Sequence, residues 1–200
     1  LPNKSNDEKI KDLILIIEHY QSDNFEKAIY YGNELIKTVQ FNPSKNNVAK
    51  SNFVMGSIYY SNADYETALL YLQKAEKEYL VLNDELELAN CRNTIGSIQE
   101  DKGYYDKALD YFLSSLSIYE KYKDSSKIAT TFNNIGYLYL DIENYEKSLS
   151  YLNKSLEIRL LLKDQLGVAE SYNNISNVLS SKGELNEAME LLQKSLAIKE

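Results

Sequence analysis

Asparagine is the residue type whose spacing in this chain could do chemistry. Asn93, Asn133 and Asn173 recur at a step of 40 residues; Asn134 and Asn174 follow one place on, and Asn177 lies one helical turn beyond Asn173. A carboxamide holds both a donor and an acceptor, so a column of them can pair with the C=O and N–H of an extended peptide main chain. Asn is a poor helix former, so its return at mid-helix positions needs a reason. Tyr137, Asn90, Glu100 and Asp141 lie where they would read the side chains of such a peptide. The amides have a second use, which is to hydrogen-bond a neighbouring helix end or a water, and the sequence leaves both uses open. The peptide reading expects that exchanging Asn133 and Asn173 for Ala leaves thermal stability nearly unchanged.

Other chemistry is poorly provided for. The single His and single Cys exclude a multi-His metal site, a Cys-based zinc site and an internal disulfide framework. His19 falls at the repeat position of Tyr59 and Tyr139, a core-facing slot, and is expected to be packed rather than to act as a base. Cys91 lies near a helix N-terminus, where a thiol pKa can fall, but no His of its own repeat stands by to activate it. There is no phosphate-cradling Gly loop, dinucleotide fingerprint or calcium loop; residues 101–106 have the wrong ligand spacing for calcium. The sequons at Asn153 and Asn174 fall inside helical patterns. No catalytic residue, metal or cofactor is expected. Thirty acidic against 22 basic residues give a net charge of -8, a surface that repels phosphate backbones, so nucleic-acid binding is not expected. No apolar run approaches the roughly 20 residues of a membrane helix.

The elements that position the asparagines follow from an internal repeat. Ala89, Ala129 and Ala169 share the 40-residue step; so do Asn24, Asp64, Tyr104, Asn144 and Glu184, and so do Asp84, Asp124 and Asp164. Three landmarks on one period divide the chain into units 9–48, 49–88, 89–128, 129–168 and 169–200. Phe132, Ile135, Gly136 and Tyr139 fall on one helix face, and a second stripe runs from Tyr145 to Ile158, with a polar break at 141–144. Gly103 and Gly183 are placed to end the first helix in the left-handed conformation. Asn24, Asp64 and Asn144 can cap the second helix, and Asp84, Asp124 and Asp164 the first helix of the next unit. Seven Gly and two Pro in 200 residues are few for a β or loop-rich fold. Gly56, Gly96, Gly136 and Ser176 sit mid-helix, where Gly costs about 1 kcal/mol relative to Ala, so close crossing by the second helix at Ala68, Ala108, Ser148 and Ala188 is expected. A helix pair cannot bury both its stripes alone; stacked pairs can, which makes an all-α solenoid of about five antiparallel pairs.

These residues resemble the tetratricopeptide repeat (TPR), with Ile95, Gly96, Tyr105, Ala108, Phe112 and Ser115 in one unit and Ile135, Gly136, Tyr139, Tyr145, Ser148, Leu152 and Ser155 in the next. The 40-residue step is longer than the family's usual 34 and is similar to Pins-type adaptors, kinesin light chains, bacterial peptide-sensing regulators and TPR segments of bacterial sensors. The first unit departs most, with Ile16 for the Gly, Gly32 for a large apolar residue and Pro43 at its exit. The resemblance implies a right-handed superhelix whose first helices line a concave side. It implies a non-catalytic scaffold for a protein or extended peptide, serving as the sensing or adaptor part of a larger signalling protein. No Lys occupies the fifth position of a repeat, so a clamp for an acidic C-terminal tail is not implied.

Glu100, Asp101 and Asp141 at the groove rim would favour a basic ligand, or else are solvated charges. The series Tyr31, Tyr71, Tyr111 and Tyr151 reads as packing with hydroxyls at the rim. The chain starts at Leu1 without Met and stops at Glu200 straight after an apolar stretch, which reads as one array cut from a longer protein. Leu191, Leu192, Leu196 and Ile198 of the last helix would then be uncovered. That motivates a different reading: a self-association module, a homodimer through its terminal repeat.

Overall fold

The computed structural model describes residues 5–41 and 43–199; the chain ends discussed above, Leu1 and Glu200, lie outside them. Among the described residues there are ten α-helices and no strand: α1 (Asn6–Tyr20), α2 (Phe25–Phe41), α3 (Lys45–Ser61), α4 (Tyr65–Leu82), α5 (Glu85–Asp101), α6 (Tyr105–Tyr122), α7 (Ser125–Asp141), α8 (Tyr145–Leu162), α9 (Gln165–Lys182) and α10 (Leu185–Lys199). The chain forms two compact units, Leu1–Ile98 and Gln99–Glu200, and the division falls within α5. None of the described helices is long and apolar enough to cross a membrane.

Local chemistry sets the helix ends. The side chains of Asn24, Asp64 and Asn144 accept from the N–H of Lys27, Thr67 and Lys147 at 3.0, 3.1 and 3.2 Å. Asp84, Asp124 and Asp164 accept from Glu87, Lys127 and Gly167 at 3.3, 3.0 and 2.9 Å. These bonds satisfy N–H groups that an α-helix leaves without partners in its first turn. Gly103 and Gly183 have φ of +76° and +85°, as their positions require, while Ala63 and Glu143 take the same left-handed turn without glycine's freedom. Helices α4, α6 and α8 end on a further left-handed residue, Asn83, Lys123 and Lys163 in turn.

In residues 1–98, α1 packs on α2, α2 on α3 and α3 on α4. Ile10, Ile17, Ala28, Leu35, Val39, Met55 and Ile58 form the core. The irregular first repeat is accommodated by exchange of volume. Gly32 stands where Leu72, Phe112 and Leu152 stand later, and a Cβ there would meet Met55 Sδ at 2.7 Å and Ile58 Cδ1 at 2.9 Å. The missing side chain is thus replaced by atoms of α3.

His19 is exposed, contrary to the core position expected for it. Tyr59 and Tyr139 are half-buried and stack on Tyr71 and Tyr151 at 5.7 and 5.6 Å. In the first pair the corresponding ring, Tyr31, is stacked instead by Tyr20 at 6.1 Å, one residue further on. His19 is left at the surface, edge-on to Tyr20 at 4.8 Å. Tyr31, Tyr71, Tyr111 and Tyr151 are all half-buried, in keeping with packing.

In residues 99–200, α6 packs on α7, and α7, α8, α9 and α10 follow in succession, with α7 also touching α9. Phe112, Leu116, Ile135 and Leu138 form one core cluster; Leu152, Ile175, Val178, Leu179 and Ala188 form another. The close crossing expected at the small residues is present. Ser148 Oγ donates to the Gly136 carbonyl at 2.7 Å, and a Cβ on Gly136 would lie 2.6 Å from Leu152 Cγ. The second helices are tied back further along by Ser155 and Ser195, which donate to the carbonyls of Ala129 and Ala169 at 2.8 and 2.7 Å.

Gly136→Ala therefore sets a helix-propensity gain of about 1 kcal/mol against an overpacking cost of about 1–3 kcal/mol. Urea unfolding is expected to show a lower midpoint for the variant. A midpoint equal to or above the parent's would mean that α7 and α8 have room to part.

Candidate functional site

The asparagines separate into two roles. Asn133 on α7 and Asn174 on α9 are 7% and 5% exposed. Asn174 Nδ2 donates to Asn133 Oδ1 at 2.8 Å, and Asn133 Nδ2 donates to Glu170 Oε1 at 3.4 Å. Glu170 is held in turn by Arg159 Nη2, 3.3 Å from its Oε2. Arg159 is itself buried and donates through Nη1 to the Gly167 carbonyl at 2.8 Å and to Ser171 Oγ at 3.0 Å. A continuous polar chain thus joins α8, α9 and α7. Gly167 is part of the fit, since a Cβ there would collide with the Asp164 carboxylate and approach Arg159 Cδ to 2.9 Å.

This pairing corrects the expectation that Asn133 can be truncated without cost. Removing its Oδ1 leaves a buried amide donor on Asn174 without that acceptor, a loss of about 1–3 kcal/mol. Asn173 is different: it is half-buried, like Asn134 and Asn177, and Tyr137 is exposed. Asn133 and Tyr137 lie one turn apart on α7, as Asn173 and Asn177 do on α9. In residues 1–98, Asn93 is half-buried and Asn90 Nδ2 donates to Glu87 Oε2 at 3.1 Å.

The acidic residues form a strained group. Glu100 is half-buried, and its Oε1 is enclosed without a hydrogen-bond partner. Burial, with the charges of Asp141 and Asp101 added, pushes its carboxyl up to about 8. Asp141 is exposed yet also raised, by partial burial and by Asp101. Glu100 therefore holds a proton at neutral pH more firmly than an ordinary carboxyl.

Several residues of interest escaped the sequence reading. Arg159 continues a series of buried residues, Val39, Tyr79 and Tyr119, and the change from apolar or aromatic to Arg was the available signal. In residues 1–98 a cavity of about 420 Å³ opens between α1 and α3, where Lys11 and Lys50 stand over Ile10, Ile14 and Asn47. On α10, Leu192 and Leu196 are exposed as expected, while Leu191 and Ile198 are half-buried. Leu185 and Met189 extend the exposed stripe. Their repeat equivalents Tyr145 and Leu149 are packed against a core cluster, which was the overlooked sign that they need cover.

The lone thiol is not poised as a nucleophile. Cys91 is buried, donates to the Leu72 carbonyl at 3.2 Å, and has its thiol pushed up to about 12 by burial, so the lowering allowed for a helix N-terminus is overturned. Among the described residues, no group of three or more His, Cys, Asp or Glu could hold a metal ion.

Glu100 binds its proton more tightly in the folded chain than in the unfolded one. Stability is expected to fall as pH rises from the ordinary carboxyl range through about 8. Melting curves at about pH 6 and about pH 9 should show a larger loss for the parent than for Glu100→Gln. Equal losses would mean that Glu100 ionises as a solvated carboxylate.

Family models described as tetratricopeptide repeat match residues 49–78, 89–122 and 127–200, together more than half of the chain. No curated protein matches the sequence. Among solved structures, the chain is similar to a Rap protein complexed with competence and sporulation factor, with a TM-score of 0.87 and 17% identity over 98% of this chain and 56% of that one. It is similar to the Rap conjugation gene regulator of the plasmid pLS20 in complex with the Phr* peptide, with a TM-score of 0.83 and 19% identity over 94% and 53%. A putative kinesin light chain from Podosopora anserina with nearly identical TPR-like repeats gives 0.71 and 13% over 98% and 97%. At these identities the likeness is one of fold, and the chain spans about half the length of the two Rap structures. With its antiparallel helix pairs, its 40-residue step and these family matches, the chain belongs to the tetratricopeptide repeat family.

Proposed function

We propose that this chain is a non-catalytic scaffold that binds an extended peptide or protein segment along its first helices, as the sensing or adaptor part of a larger signalling protein. The observation that carries the reading is the pairing of α7 with α9. The buried Asn133–Asn174 bond fixes two consecutive first helices side by side. Asn134, Tyr137, Asn173 and Asn177 stand next to that bond in sequence or one turn away, and all retain solvent access. Preorganised amides and an aromatic ring suit a main chain and its side chains, because little ordering remains to be done on binding. In residues 1–98, α5 carries amides of its own at Asn90 and Asn93. A basic side chain would pair with Asp141 and would favour release of the proton that burial keeps on Glu100. The fold is shared with Rap proteins complexed with competence and sporulation factor or with the Phr* peptide, which supports a peptide as ligand class.

A displayed random-peptide library selected on this chain tests the reading. The triple variant Tyr137→Ala, Asn173→Ala, Asn177→Ala is expected to keep its melting temperature and lose selected peptides by at least about tenfold in affinity, as central contacts do. Affinity equal to the parent's would remove these side chains from recognition.

The exposed stripe Leu185, Met189, Leu192 and Leu196 favours a second reading, self-association through α10. Light scattering of the parent should then report a dimer, and Leu192→Glu with Leu196→Glu should yield monomer. A monomeric parent would end this reading.

A further inference from the structure

The hollow between α1 and α3, in residues 1–98, joins an apolar floor to a pair of free ammonium groups. Its volume of about 420 Å³ is within the range of small-molecule pockets. The buried Ile10 and the half-buried Ile14 supply the floor and belong to the core of this unit. Lys11 on α1 and Lys50 on α3 line the same hollow. Among the described residues no ion pair or hydrogen bond holds either ammonium group. Lys50 is not a requirement of the repeat, because its equivalents on α5, α7 and α9 are Asn90, Thr130 and Glu170.

The lining decides the charge of the occupant. It holds two Lys and one acid, Asp7, whose Oδ1 already accepts from Asn47 Nδ2 at 3.2 Å. Next to these in sequence, Lys9 and Lys45 balance Glu8 and Asp12, and Glu8 accepts from the Ser5 N–H at 2.8 Å. An excess of positive charge therefore remains in the hollow, in a chain whose net charge is -8. A cationic ligand would meet two like charges, whereas a carboxylate can accept from both ammonium groups. The exposed carboxamide of Asn46 adds a third donor. A bare inorganic anion would leave Ile10 and Ile14 uncovered. A hydrocarbon body laid over them removes apolar surface from water, which is favourable.

We infer that the hollow between α1 and α3 binds a small aliphatic carboxylate, with its anionic end on Lys11 and Lys50 and its hydrocarbon on Ile10 and Ile14. The site uses none of the residues proposed to hold a peptide along α5, α7 and α9, so either assignment can fail alone.

Titration of the ¹⁵N-labelled chain with hexanoate, 1-hexanol and acetate at neutral pH, followed by amide correlation spectra, tests the inference. Hexanoate is expected to shift the amides of Ile10, Lys11, Ile14, Asn47 and Lys50 saturably. Hexanol lacks the charge and acetate the hydrocarbon, so each is expected to bind severalfold more weakly. Lys11→Gln and Lys50→Gln alter side chains that hold no partner, so the spectra should remain those of the folded chain, and each variant is expected to weaken hexanoate severalfold. No saturable shift, an equal response to hexanol or to acetate, or undiminished binding in both variants would overturn the assignment. Saturable shifts with acetyl-Leu-Glu-Leu-amide and none with hexanoate would make the hollow a peptide site and would likewise overturn it.

Discussion

One buried hydrogen bond, from Asn174 Nδ2 to Asn133 Oδ1, sets the spacing and register on which the arrangement of α7 and α9 depends. Apolar contacts hold helices together but tolerate sliding, since they are non-directional. An amide pair at 2.8 Å does not, and its donor and acceptor must find each other or remain unsatisfied in the interior. Glu170 and Arg159 extend the constraint to α8, so three helices share one polar chain in a protein whose other cores are aliphatic and aromatic. The side chains one place or one turn away, Asn134, Tyr137, Asn173 and Asn177, are presented on a frame that is already ordered.

The turns supply the complementary constraint. Aspartate or asparagine caps at recurring places start helices α4, α7, α8 and α9, and left-handed residues follow helices α3 to α9. Glycine or serine in the first helix lets the second cross close enough for Ser148 to reach the Gly136 carbonyl. These interactions are local to one pair, which is why a 40-residue step suffices to repeat them. Where a repeat departs from the pattern, a neighbour compensates, as Met55 and Ile58 do for Gly32.

This division between local and lateral interactions explains what could be read from the sequence. Helix number, caps, the left-handed glycines and the close crossings were legible because each depends on residues within a few turns of one another. The partner of Asn133 was not. It lies 41 residues on, at Asn174, whereas comparing repeats at a step of 40 sets Asn133 beside Asn173. A diagonal contact between neighbouring helices is invisible to a column of equivalent positions. His19 was misplaced for a related reason, since Tyr20 took the stacking role on Tyr31 and shifted the first pair by one residue. Glu100 stood out as an acid at a helix end, but its enclosure among Asp101 and Asp141 required the packed helices.

A double-mutant cycle on Asn133 and Asn174 measures the constraint itself. Alanine is introduced singly and together, and each protein is unfolded in urea. Should the amides hold α7 to α9 as described, each single variant will lose stability and the double variant will lose much less than the sum, with a coupling of about 1 kcal/mol or more. Additive losses would show that the two amides do not depend on each other, and the account of how the α7–α9 surface is held would fall.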